Sequence, residues 1–295
     1  MKPTPEPPRG PTEDTVRRLL GELLPDGGGA ELRPVGGHGE HAAWWVGSRH
    51  VVRLAADADA SRRLRREVRL RDLVRGYAPV AVPASVAAGE WEPGLAYTLD
   101  TRLPGESAEV RDVTAGGEED LAGLLTGLHA VPPARAVPLG VPKVAARGLE
   151  PVRRAAHAAA AGLDADEFDA GRLEQLTPQA VAQLGAQGDA VLVHHALTGA
   201  RLTVGRDGRV RGVLDWGDAV VGDPAEDIAG LAGAVGARAA VRSATLAGYG
   251  ARVCLRGLWL ARCEAVVRVG EVPGALTRAR LARAWEPILL EQVSD

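Results

Sequence analysis

Residues 191–231 read VLVHHALTGARLTVGRDGRVRGVLDWGDAVVGDPAEDIAGL, and their spacing constrains the fold more tightly than any other stretch. Apolar runs at Ala190–Val193, Leu202–Val204 and Val210–Trp216 predict strands. Between the last two, Gly205-Arg-Asp-Gly208 predicts a tight turn, because Asp and Gly tolerate the backbone angles that reverse a hairpin. The second strand of that hairpin is predicted to end at Asp215. Asp223-Pro-Ala-Glu226 then predicts a helix start, with Asp223 capping, Pro224 in the first turn and Glu226 closing a capping box. Asp215 has no such structural task. A carboxylate at a strand end, between Leu214 and Trp216, points to a metal ion or a substrate.

Upstream, residues 1–11 (MKPTPEPPRGP) predict a disordered lead-in, and without an apolar core they do not read as a signal peptide. Thr12–Leu24 sets Val16, Leu19, Leu20, Leu23 and Leu24 at helical spacing and stops at Pro25 and Gly27. Trp44–Val46 and Val51–Leu54 predict strands joined by a Gly47-Ser48 turn. Ala60–Val74 predicts a helix with Leu64, Val68, Leu70 and Leu73 on its apolar side. Its run of Arg62, Arg63, Arg65, Arg66, Arg69 and Arg71 predicts a solvated face. Ser85–Ala88 and Leu95–Thr101 predict two further strands. Beyond Leu103-Pro-Gly-Glu106 the pattern turns helical at 122–130, 152–161 and much of 231–269. The fold class is α+β, with a β-rich part over 12–102 and a helical part over 103–295.

Composition narrows the function classes. Hydrophobic residues make up 46% and charged residues 25%, as in ordinary globular chains. The net charge of −3 supplies no global field for nucleic acid or an anionic membrane. No run of eighteen apolar residues predicts a membrane span, so a cytoplasmic compartment is the default expectation. Cys254 and Cys263 lie nine apart in a helical stretch, half a turn out of phase, and no CxxC spacing exists. Neither His38 with His41 nor the His194-His195 pair supplies enough spaced ligands for a metal. Of 35 basic residues only Lys2 and Lys143 are lysines. Chemistry that needs a cation therefore falls almost entirely to arginine.

Leu214-Asp215-Trp216, Gly222-Asp223-Pro224, Asp227, Ile228 and Ala229 together resemble the aminoglycoside and macrolide phosphotransferase family. The resemblance implies a bilobal, protein-kinase-like fold with a small β-rich N-lobe and a larger helical C-lobe, and it extends over nearly the whole chain. Gly36, Gly37 and Gly39 take the nucleotide-loop position. Arg53, in Val51-Val-Arg-Leu54, stands where many kinases place a phosphate-contacting lysine, with Glu67 as its partner. Tyr97–Gly105 resembles the interlobe hinge, which puts Leu99 among the cofactor contacts, and Leu124–Pro132 resembles the family's L-x-x-L-H-x-x-P helix end. ATP with Mg2+ is the implied cofactor. A hydroxyl- or amine-bearing small molecule in the C-lobe cleft, antibiotic-like in the family, is the implied partner. Taken alone, the glycines serve equally well in a tight β-turn, and Arg53 can instead belong to an ion pair.

The catalytic loop departs from the family pattern H-G-D-L-x-x-x-N. Aligned without gaps, His194 takes the family's histidine, which braces the loop, and His195 stands where glycine is usual. Ala196 replaces the aspartate that accepts the substrate's hydroxyl proton, and Arg201 replaces the asparagine that holds a metal ion. Loss of a general base costs about 10²–10⁴-fold. Arg201 is the heavier change, because a guanidinium has only donors and a permanent charge, and opposite Asp215 it would sit where a metal should. These departures imply weak or lost magnesium–ATP binding and an impaired, pseudokinase-like protein, for which a protein partner stays open. The alternative is a working small-molecule phosphotransferase in which Asp215 holds the metal. Asp164, Asp166, Glu167 and Asp169 either attract a cationic acceptor or begin a solvated helix.

Overall fold

Period-two alternation builds the first of two units, residues 1–72 with 83–102. The structure, a computed structural model, describes residues 11–24, 29–35, 41–186 and 188–288. The lead-in up to residue 10 and the glycine loop of Gly36, Gly37 and Gly39 lie outside those residues. Strands β1 (Leu32–Pro34), β2 (His41–Val46), β3 (His50–Ala55), β4 (Ser85–Glu92) and β5 (Leu95–Thr101) form one antiparallel sheet, ordered β1-β2-β3-β5-β4. Val52 lies opposite Trp44 and Leu99, and Leu54 opposite Tyr97. That register gathers Trp44, Val46, Val52, Leu54, Tyr97 and Leu99 on one face, where α1 (Glu13–Leu23) covers them with Val16 and Leu20. Thr12 caps α1 by accepting the Thr15 N–H.

The opposite face carries Arg53, Thr98 and Asp100 and meets α2 (Ala58–Val74). On α2, Arg62, Arg63 and Arg69 are exposed, as a solvated face requires. Arg71 corrects that expectation. It is 2% exposed, because its position on the helix turns toward the sheet, where Asp100 accepts its hydrogen bond.

The second unit comprises residues 73–82 and 103–295. Residues 73–82 belong here because Ala81 donates to Arg211 O and accepts from the Val213 N–H. Its strands are β6 (Glu106–Ser107), β7 (Val191–Val193), β8 (Leu202–Val204), β9 (Val210–Val213) and β10 (Val220–Gly222). β6, β8 and β9 make a three-stranded sheet, and β7 pairs with β10. The hairpin turn between β8 and β9 forms as its sequence predicts, with Gly208 at a φ of 72°. β9, however, stops at Val213 rather than running to Asp215. Asp215 has a φ of 61°, a left-handed angle that no strand accommodates.

The helices of this unit are α3 (Ala115–Ala130), α4 (Pro133–Ala136), α5 (Leu149–Ala160), α6 (Pro178–Gln183) and α7 (Ala225–Val235), followed by α8 (Ala237–Leu246), α9 (Ala251–Glu271) and α10 (Ala275–Ala284). The predicted capping box at α7 is only half realised. Asp223 accepts the Ala225 N–H at 3.0 Å, whereas the Glu226 carboxylate accepts from Arg147 at 2.8 Å instead of turning back to the cap. α7 and α9 approach closely at Gly257, where a Cβ would stand 2.7 Å from Ile228 Cβ. Cys254 and Cys263, both on α9, are buried free thiols. Among the described residues, no helix is long and apolar enough to cross a membrane.

Candidate functional site

The β7–β10 pair sets Val193 opposite Val220, so the loop after β7 and the segment before β10 lie side by side. Asp227, near the start of α7, anchors that loop. Its Oδ2 accepts the His194 N–H at 2.8 Å and its Oδ1 accepts the His195 N–H at 2.7 Å. Reaching both N–H groups requires the left-handed φ of 67° at His195, where glycine would be unstrained. Burial pushes the Asp227 carboxyl up to about 7, against the two N–H donors that favour its ionised form. The His194 Nε2–H donates to Leu214 O at 3.0 Å, and its ring stands edge-on to Trp216 at 4.7 Å between centroids. His194 is fully buried, whereas the His195 side chain is exposed and Ala196 offers only a methyl group.

Arg201 lies at the other end of the loop. Its carbonyl accepts the Leu214 N–H at 2.9 Å, which zips the two segments together one residue before Asp215. Its Nε donates to Asp215 Oδ2 at 2.7 Å, and its Nη2 lies 2.6 Å from the same oxygen. Nη2 also reaches Asp218 Oδ2 at 3.4 Å. Sequence reasoning singled out Asp215 and Arg201 but missed Asp218, whose only signal was its place three residues after Asp215. A guanidinium between two carboxylates supplies one positive charge, half of what a divalent ion would bring, and no lone pair to bind such an ion. The donor set therefore does not fit magnesium. Among the described residues, no group of three or more His, Cys, Asp or Glu side chains could hold a metal ion.

The first unit holds a second ion-pair network. Arg53 Nη1 and Nη2 donate to the two oxygens of Glu67 at 2.8 and 3.0 Å, while its Nε donates to Asp100 Oδ2 at 3.0 Å. Asp100 also accepts from Arg71 Nη2 at 2.9 Å, Ser85 Oγ at 2.6 Å and Thr98 Oγ1 at 3.0 Å. Two arginines and two carboxylates thus balance their charges in a buried cluster. Burial opposes ionisation of Asp100, yet the Arg53 and Arg71 charges hold its carboxyl below the usual value. Sequence reasoning identified Arg53 and Glu67 but neither Asp100 nor Arg71. Leu99, expected among the cofactor contacts, has its side chain in the core, with 0% exposure on the α1-covered face.

The acidic stretch after α5 passes through a turn at 165–167 and ends, as one of its two expected roles has it, in a helix start, where Asp169 caps the short 3-10 helix Ala170–Gln175. Asp169 accepts the Gly171 N–H at 2.9 Å, and Glu167 pairs with Arg278. These residues line a recess of about 820 Å3 whose floor includes Phe168 and Trp285.

Residues 31–261, most of the chain, match the family model described as the phosphotransferase enzyme family. No curated protein matches the chain. Among solved structures, it resembles the GDP complex of aminoglycoside 2'-phosphotransferase-IIIa, with 19% identity and a TM-score of 0.65 over 93% of this chain and 96% of that one. It also resembles macrolide 2'-phosphotransferase MphH from Brachybacterium faecium, with 20% identity and a TM-score of 0.63 over 93% and 99% of the two chains. ADP-bound aminoglycoside phosphotransferase APH(2'')-Ib aligns at 14% identity and a TM-score of 0.60, over 92% and 98%. These likenesses establish the kinase-like fold, a β-sheet N-terminal part followed by a helical C-terminal part, and the family match adds descent. The chain belongs to the phosphotransferase enzyme family.

Proposed function

We propose that this chain keeps the nucleotide- and small-molecule-binding frame of its family but transfers phosphate feebly or not at all. One observation carries the proposal. The Arg201 guanidinium lies 2.6 Å from Asp215 Oδ2 and also reaches Asp218, so a fixed cation stands where the family resemblance puts a magnesium ligand. Ala196 adds to it, since no carboxylate stands at the proton-accepting position. Phosphoryl transfer depends mainly on positioning and charge neutralisation, and one arginine cannot reproduce the coordination that a metal gives to phosphate oxygens.

Solved relatives are bound to GDP, ADP or kanamycin, which supports ATP and a small molecule as the ligands here. Arg53 then contacts nucleotide only by loosening its bonds to Glu67 and Asp100. The second reading, an active small-molecule phosphotransferase, is favoured by the intact frame around the loop, above all the two hydrogen bonds from His194 and His195 to Asp227. A coupled ATPase assay with a panel of hydroxylated antibiotics separates the two. Turnover at or near background is the expected result. Turnover that disappears in Asp215→Ala would overturn the impaired reading in favour of the active one.

A further inference from the structure

A smaller recess in the second unit, about 330 Å3, carries charges that phosphoryl transfer does not use. It adjoins the loop: Ala108, in its wall, donates its N–H to Gly199 O at 3.0 Å, two residues before Arg201. Six charged residues line it, namely Arg111, Asp112, Glu118, Arg238, Arg283 and Glu286, and their formal charges cancel. Four of the six are already engaged. Arg111 Nε donates to Glu106 at 2.8 Å, and Arg242 forms an ion pair with Glu118 Oε2 at 3.1 Å, although that buried oxygen accepts no hydrogen bond. Arg238 lies 3.4 Å from Glu286 and donates to Pro287 O at 2.8 Å. Among the described residues, no hydrogen bond or ion pair engages the side chain of Arg283 or of Asp112.

What the recess has to spare is therefore one cation, one anion and the accepting capacity of Glu118 Oε2. A polycationic ligand would meet three guanidiniums there, and a polyanion three carboxylates, each against the charge pattern. The volume lies at the lower end of ligand-pocket sizes, about 300–1,000 Å3. We propose that this recess binds a small zwitterion, with an anionic head on Arg283 and an amine on Asp112. The proposal rests on the reading that the second unit takes a small-molecule ligand, and it holds whether or not phosphate is transferred.

The test is a set of NMR titrations with O-phosphoethanolamine, β-alanine, inorganic phosphate and kanamycin, on the wild type, Arg283→Gln and Asp112→Asn. The first two probes tell a phosphate head from a carboxylate head. At least one of them is expected to bind, and each variant to weaken it by about tenfold or more, as for loss of a charge-assisted contact. Inorganic phosphate should bind more weakly and ignore Asp112→Asn, while kanamycin should ignore both substitutions. Both positions are at the surface of the recess, and unchanged melting temperatures would show that the variants fold. If neither zwitterion binds, or both variants bind it like the wild type, the proposal is wrong. Kanamycin binding in that event would leave the broader small-molecule reading standing; silence from all four probes would remove both.

Discussion

Replacing Arg201 by asparagine should cost little stability and create a cation site. The Arg201 side chain is 28% exposed and that of Asp215 45%, so solvent screens the pair. Such pairs contribute about 0–1 kcal/mol, which for a unit of this size is at most roughly 2–4 °C in melting temperature. The electrostatic change is far larger than the stability change. Without the guanidinium, the carboxylates of Asp215 and Asp218 face a neutral side chain whose oxygen can accept. Hard oxygen donors of that kind suit magnesium. At a hundredfold excess of Mg2+ over its dissociation constant, binding stabilises the variant by about 2.7 kcal/mol, roughly 5–10 °C. Thermal melts with increasing Mg2+, with and without ADP, read this directly, and the wild-type melt should hardly move. The reasoning is refuted if the variant loses more than about 3 kcal/mol, as a buried structural pair would, or if its melt stays as indifferent to Mg2+ as that of the wild type.

Asp100→Asn leaves Arg53 and Arg71 sharing one carboxylate in a buried cluster and should cost about 3–5 kcal/mol in urea unfolding. Because the Asp100 carboxyl is held below its usual value, its contribution is present above about pH 4 and lost as the pH falls further, so the gap between wild type and variant should close in acid. Asp227 works the other way: its carboxyl is raised to about 7, so its contribution is full below about pH 4 and lost as the pH rises through 7. Urea titrations at pH 5 and pH 8 should therefore show a flatter pH dependence in Asp227→Asn than in the wild type. Gly257→Ala forces a methyl to within 2.7 Å of Ile228 Cβ and should cost about 1–3 kcal/mol by the same measurement.

Much of the frame was legible because it rests on local rules. The apolar spacing of α1, the alternation of β3 and β5 and the Asp207-Gly208 turn each announce themselves within ten residues. The same alternation, followed one step further, places Leu99 on the face of Val52 and away from Arg53, which the hinge resemblance alone does not reveal. Asp215 was legible as a chemical group but not as a left-handed residue: its φ is 61°, and it follows Leu214, whose N–H donates to Arg201 O thirteen residues back in the chain. Asp100 and Arg71 were hidden for a related reason. One looks like a strand residue and the other like part of a solvated arginine run, and only the packing of α2 on the sheet brings them to 2.9 Å. The recess shared by Asp112 and Arg283 joins positions far apart in the chain, and no periodicity encodes it.

The Arg201–Asp215 pair meets its most direct test in calorimetric titration of wild-type protein with ATP, once with Mg2+ and once with a chelator. With a guanidinium serving as the resident cation, the two affinities should agree within about twofold, less than 0.5 kcal/mol. Binding that strengthens tenfold or more when Mg2+ is present would mean that Asp215 still holds a metal, and that Arg201 does not stand in its place.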